Sequence, residues 1–219
     1  MKKTAILFAF AALVGCNEAS EKKETTTETT TTAPADSAAT ASTTTTTEAP
    51  APPMDSAAMM KAMADYMTPG EMHKWMASQN GKWDADVTSY WEGQAMPSKA
   101  VMENRMVLGG RYQQSSFKGT MNGMPFEGMG TTGYDNAKKM FVSTWVDNMG
   151  TGVITMEGNY DQGSKTLNLK GKCTDPSTGK DCDMREVMTM VDDKHTNFEM
   201  YMTMGGKEQK VMEAKYTKK

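Results

Sequence analysis

From Lys82 to Thr217 hydrophobic and polar residues alternate in short runs, and turn residues cut the runs at nearly regular intervals. A period of two places successive side chains on opposite faces of a strand. Ten runs result: 82–91, 99–108, 111–118, 125–134, 138–146, 151–160, 165–173, 182–191, 195–204 and 207–217. The breaks are mostly tight hairpin pairs such as Glu92-Gly93, Asn122-Gly123 and Gly205-Gly206, with one longer loop from Thr174 to Asp181. Links this short join antiparallel neighbours in sequential order.

Upstream the period lengthens. Met59, Met63, Tyr66 and Met67 recur at three- and four-residue spacing behind Asp55, which predicts an amphipathic helix over 55–67. Thr68-Pro69-Gly70-Glu71 reads as a capping box with proline at the first helical position of a second short helix, whose apolar face is Met72, Trp75 and Met76.

A ten-strand meander leaves two unpaired edges unless it closes, and closure removes them. Several runs carry apolar residues on both parities, as Met140, Val142 and Val146 do against Phe141 and Trp145. One face then packs inward and the other meets apolar cover or ligand. The predicted fold is mainly β: an antiparallel up-and-down barrel of about ten strands, with two short N-terminal helices plugging or flanking one end. A two-sheet sandwich is the alternative. A barrel of this size has room for a small ligand.

The first 53 residues belong to none of this. Lys2 and Lys3 precede the apolar run Thr4 to Val14, too short to span a bilayer. Leu13-Val14-Gly15-Cys16 closes that run in the manner of a bacterial lipoprotein signal; a plain secretory signal is the alternative. Residues 1–15 are thus expected to be removed and Cys16 to carry lipid, which places the protein in the cell envelope with the membrane as a partner. Residues 17–53 are rich in Thr, Ala and Pro and hold no aromatic, the composition of a disordered stalk after the lipidated Cys16. Residues 54–219 form one domain by length.

The net charge is −3, and loss of Lys2 and Lys3 would take it to −5. Without a basic cluster, nucleic acid is not an expected partner. The 24 methionines are the oddity: past Cys16 there are only Leu108, Leu167, Leu169 and Ile154 to fill a core, so methionine stands in for them. Met200, Met202 and Met204 on one strand face leave open a thioether copper or oxidant-handling role. Cys173 and Cys182 flank the long loop and are expected to face each other as a disulfide; two free thiols are the alternative.

Of 24 lysines and arginines only Arg105, Arg111 and Arg185 are arginine. Arginine is favoured where a planar fork grips a carboxylate. The functional reading has one of them hold an anionic headgroup inside the barrel. The structural reading pairs Arg105 with Glu103, and Arg185 with Glu127 or Asp183. Tyr112, Phe126 and Trp145 are candidate lining for the same ligand, or plain aromatic core. His73 and His195 read as surface or capping residues. Gly128 and Gly130 alternate on one face, which suggests close packing or a bend. No nucleophile, base and orienting group share a recognisable spacing, so neither catalysis nor a cofactor or metal is expected.

Gly81-Lys82-Trp83, at the start of the first strand after a short helix, resembles the Gly-x-Trp opening of lipocalins and related calycin barrels, which implies a basic residue from the last strand, Lys215 or Lys218, over that tryptophan. Residues 69–83 (PGEMHKWMASQNGKW), 108–112 (LGGRY), 124–152 (MPFEGMGTTGYDNAKKMFVSTWVDNMGTG) and 210–218 (KVMEAKYTK) resemble the bacterial domain-of-unknown-function family numbered 1579. That resemblance implies a calycin-like barrel, often secreted or lipid-anchored, and brings no catalytic residues. The expectation is a non-enzymatic envelope lipoprotein that binds a small apolar or amphipathic ligand. The alternatives are an envelope structural or protein-interaction module, and a methionine-rich copper or oxidant-handling protein.

Overall fold

A computed structural model describes residues 55–121 and 123–219. The expected lipoprotein signal with Cys16 and the expected stalk over 17–53 lie outside the described residues. Two helices, α1 (Ser56–Met67) and α2 (Glu71–Ser78), precede ten strands. These are β1 (Gly81–Trp91), β2 (Gln94–Val107), β3 (Tyr112–Met121), β4 (Met124–Asp135), β5 (Met140–Asp147), β6 (Ile154–Asp161), β7 (Thr166–Thr174), β8 (Asp181–Met190), β9 (His195–Met204) and β10 (Lys207–Lys218). Each strand pairs antiparallel with its sequence neighbours, and β1 pairs with β10 from Trp83↔Lys218 to Ser89↔Met212, which closes the barrel. The expected up-and-down barrel is the fold, and the sandwich alternative falls.

The turns explain the sequential order. Glu92 and Gly93 both take positive φ (49° and 76°), as do Gly205 and Gly206 (58° and 78°), between partners Trp91↔Gln94 and Met204↔Lys207. Two-residue links of this hand match the right-handed twist of the strands they join.

β2 begins at Gln94, five residues before the predicted start. Pro97 pairs with Thr88 of β1, but β3 reaches β2 only from Ala100↔Gly119 onward. Residues 94–99 therefore have a neighbour on one side only, where a proline without an N–H is tolerated.

The barrel wall separates two faces. Trp83, Ala85, Val87, Ala100, Phe198, Ala214 and Tyr216 form one buried cluster inside it. Met76, Phe141, Met156, Leu167, Leu169 and Met184 form another. Outward positions carry cross-strand ion pairs, among them Lys99–Asp86 at 2.6 Å, Lys118–Glu127 at 3.3 Å and Lys219–Asp84 at 2.8 Å. Exposed pairs add little stability each, but they mark the outer face as one that meets water. The apolar residues of the other parity find no second layer among the described residues: Val101, Met129 and Val146 are exposed.

α2 plugs one end. Met76 is fully buried, and Trp75 packs its ring on Tyr160 (4.5 Å between centroids) and edge-on to Phe141 (5.2 Å). The cap differs from the expected box. Helix α2 starts at Glu71 with Gly70 as N-cap, so Pro69 precedes the helix and Thr68 donates back to the Ala64 carbonyl of α1. The capping acceptor is His73, whose Nδ1 takes the Gly70 N–H at 3.0 Å. His73 is a capping residue as expected, but it is buried, and burial followed by the nearby Arg111 charge holds its pKa below the ordinary value.

α1 departs from expectation. Met59, Met60, Met63, Tyr66 and Met67 are all more than half exposed, so most of its apolar face finds no cover among the described residues. It is held by its C-terminal end. Asn136 Nδ2 donates to the carbonyls of Asp65, Tyr66 and Thr68 at 2.8–3.2 Å, and Arg111 Nη2 to that of Met67 at 2.8 Å.

Candidate functional site

The barrel encloses a cavity of about 410 Å3 that runs from the α2 plug to the opposite, loop-bearing end. Native interiors are close-packed with few voids larger than a water molecule, so a space of this size needs a cause in the wall. Several inward positions on β2 to β5 are small, among them Ser98, Ser115, Gly130, Thr132 and Ser143, interspersed with larger residues such as Met102, Phe117 and Trp145. Those on β7 to β9 include Leu167, Leu169, Met188, Phe198 and Met200.

Nine methionines line the space, with Trp75, Trp83, Phe117, Phe126 and Trp145. Unbranched thioether chains repack readily around ligands of different shape. Met200 and Met202 are part of this wall, whereas Met204 is an exposed rim residue at the β9–β10 turn.

Trp145 and Phe126 stand where the sequence reading put them, inside the barrel. Trp145 lies flat against the bare backbone of β4: a Cβ on Gly128 would come within 2.1 Å of its ring, and one on Gly130 within 3.1 Å. The Gly128/Gly130 pair is close packing, and it seats an aromatic wall. Trp145 Nε1 donates to Asp147 Oδ2 at 2.9 Å, and Phe117 meets Phe126 edge-on at 5.7 Å.

The other four predicted ligand residues face outward or sit in turns, which corrects the expectation of an arginine inside the barrel. Arg105 donates from Nε and Nη2 to Gln114 Oε1, at 3.1 and 2.6 Å, and not to Glu103, which lies nearer Lys82. Arg185 grips Glu208 with two bonds of 2.8 Å and stacks over Tyr201 at 4.0 Å, so neither Glu127 nor Asp183 is its partner. Both occupy the parity opposite to the inward residues Asn104 and Glu186. Arg111 caps α1 and, with Tyr112, lines a separate hollow of about 460 Å3 on the outer face of β3 to β5, bounded by Met67 and Asn136. For Arg105 and Arg185 the physical reason is parity, since a strand offers the interior every second residue and neither falls on that set; Arg111 lies in the turn before β3.

Lys218 is the residue over Trp83, its Nζ 5.3 Å from the ring centroid and donating to the Ser78 carbonyl at 2.9 Å. Trp83 Nε1 in turn donates to Gln79 O at 3.0 Å. This latch ties the plug end of β1 to the last strand.

Cys173 and Cys182 are direct register partners across β7 and β8, as the loop between them suggested, and stand as free thiols. Burial, then its neighbour Cys182, pushes the Cys173 thiol up to about 11, so it is protonated at neutral pH. His195 sits at its turn with Nδ1 2.9 Å from the Asp192 carboxylate.

The residues that sequence reasoning missed are the polar ones inside. Glu186 lines the cavity, between Leu169 of β7 and Met200 of β9 in register. The residue is half-buried, and both of its register partners are apolar. Burial is the one cause that pushes its carboxyl up to about 7 from an ordinary 4.5. Two further buried polar atoms lack a partner among the described residues, Asn104 Oδ1 and Thr196 Oγ1, and both residues line the same cavity. The signal was legible: Glu186 shares its parity with Met184, Met188 and Met190, and Asn104 shares its own with Met102 and Met106. A charge or amide on an otherwise apolar face points inward.

Fold and cavity together define a closed ten-stranded barrel with an apolar interior. The chain belongs to the protein family of unknown function DUF1579, whose profile matches residues 68–218, that is α2 and the whole barrel. A search of curated proteins finds no match.

Proposed function

We propose that this protein binds one small apolar or amphipathic molecule inside its barrel and holds it in the cell envelope without transforming it. The observation that carries the reading is the cavity of about 410 Å3 with its methionine and aromatic wall. That volume falls within the roughly 300–1,000 Å3 of small-molecule sites. Left dry and unfilled it would cost on the order of 10 kcal/mol at roughly 24 cal/mol per Å3, as much as a whole domain's stability. Water fits such a lining poorly, because most of it offers no hydrogen-bond partner. The envelope address rests on Leu13-Val14-Gly15-Cys16 and the stalk that follows.

The test is a titration of the full chain with N-phenyl-1-naphthylamine, an uncharged apolar dye that brightens out of water. A saturable, one-site rise that is weakened at least tenfold by Ser115→Phe, which puts a ring into the cavity, supports the reading. No rise, or a rise that Ser115→Phe leaves alone, overturns it.

The uncovered face of α1 favours a second reading, in which the barrel is a scaffold for contact with another envelope protein. Serine at Met59 and Met63 would then remove co-purification of that partner while dye uptake stays intact.

A further inference from the structure

Two buried polar atoms on the cavity wall lack a partner among the described residues. Asn104 Nδ2 is committed to the Gln79 carbonyl at 3.2 Å, which leaves its Oδ1 buried without a partner among the described residues. Thr196 Oγ1 has no partner among the described residues either. Glu186 faces the cavity with no hydrogen bond and no opposite charge to offset its burial. The lining contains no lysine, arginine or histidine; its ionisable groups are Glu186, Asp147, Cys173 and Tyr216. Asp147 is already engaged by Trp145 Nε1 and by the Met149 N–H. Glu186 is therefore the one unpaired charge of the interior among the described residues.

A buried carboxylate is costly unless it is paired and hydrogen-bonded. The register partners of Glu186 offer it nothing: Leu169 of β7 and Met200 of β9 are apolar. Tyr216 of β10 is close enough for its own ionisation to feel Glu186. An anionic headgroup would enter a space that holds two carboxyl groups and no cation. A cationic donor would do the reverse, since a charge-assisted bond is about twice as strong as a neutral one.

Resting on the binding reading above, we propose that the cavity takes a molecule with an apolar body and a single protonated amine, the ammonium seated on the Glu186 carboxylate. The apolar body lies along the methionine wall and Trp145. Because the carboxyl rises to about 7 when alone, an amine and a proton compete for it. Affinity for the amine is then highest between about pH 7 and the amine's own pKa near 10, and falls as the pH drops below 7.

Three probes with one body separate headgroup from cavity: dodecylamine, dodecan-1-ol and dodecanoate, each below its micellar concentration, displacing N-phenyl-1-naphthylamine from the full chain at pH 8. The expected result is that dodecylamine displaces the dye at least tenfold more tightly than dodecanoate, and that Glu186→Gln erases this preference while dodecan-1-ol still binds. In the wild-type chain the amine alone should weaken between pH 8 and pH 5, a reading that needs no variant. Dodecanoate binding as tightly as the amine, or an amine preference that survives Glu186→Gln or pH 5, overturns the headgroup assignment and leaves the cavity reading standing. If none of the three displaces a dye that does bind, the headgroup assignment falls; if the dye itself does not bind, both readings fall.

Discussion

Glu186→Gln should stabilise the empty protein, and more so at alkaline than at acid pH. The folded carboxyl sits at about 7 against 4.5 for an ordinary glutamate. Between these values the folded state holds a proton that the unfolded state has released, so this group's contribution to stability falls as the pH rises through that window. The penalty is about 1 kcal/mol at pH 5 and about 3 kcal/mol at pH 8. The gap between wild type and variant should therefore widen by about 1 to 2 kcal/mol between the two pH values. Glutamine keeps the shape and an acceptor but cannot ionise. Urea unfolding of both chains at pH 5 and pH 8 measures it, and subtracting variant from wild type cancels every other titrating group, His73 included. A wild-type-to-variant gap that is the same at both pH values would refute the claim that Glu186 is a desolvated, unpaired acid.

Other consequences are local. Gly128→Ala would set a Cβ 2.1 Å from the Trp145 ring; the ring must move, at about 1–3 kcal/mol of stability, with a changed Trp near-ultraviolet signal as the check. Asn136→Ala removes the donor to two α1 carbonyls and to that of the C-cap Thr68; amide exchange of α1 should quicken while global stability falls by under about 1 kcal/mol, because these bonds are exposed. Cys173 and Cys182 face each other in register. Mild oxidation should therefore remove both titratable thiols, lower the mass by about two hydrogens and stabilise the chain by about 2–3 kcal/mol for so short a loop. Thiols that persist under oxidant would count against that pairing.

Much of the fold was legible because each level of the sequence agrees with the next. Alternation set the faces, and Gly93, Gly205 and Gly206 sat where the turn conformation needs them. The early start of β2 was hidden because Pro97 looks like a strand breaker until one knows that β3 has not yet reached it. The site was half legible. Phe126 and Trp145 were chosen by chemistry, and their parity turns both inward. The arginines were chosen by chemistry alone, and parity sends Arg105 and Arg185 outside. Glu186 was overlooked because attention went to scarce residue types, whereas its signal is its place between Met184 and Met188. The size of the cavity could not be read from any single strand. Its lining comes from inward positions on all ten strands and from α2, a relation between segments far apart in the chain.

The most direct test of the central claim is the stoichiometry of uptake, measured by native mass spectrometry on the full chain with dodecan-1-ol or dodecylamine. The account predicts a single molecule bound per chain, and loss of that complex when Ser115→Phe and Ser143→Phe fill the cavity. No bound molecule at saturating probe, or uptake that filling the cavity leaves unchanged, would contradict it.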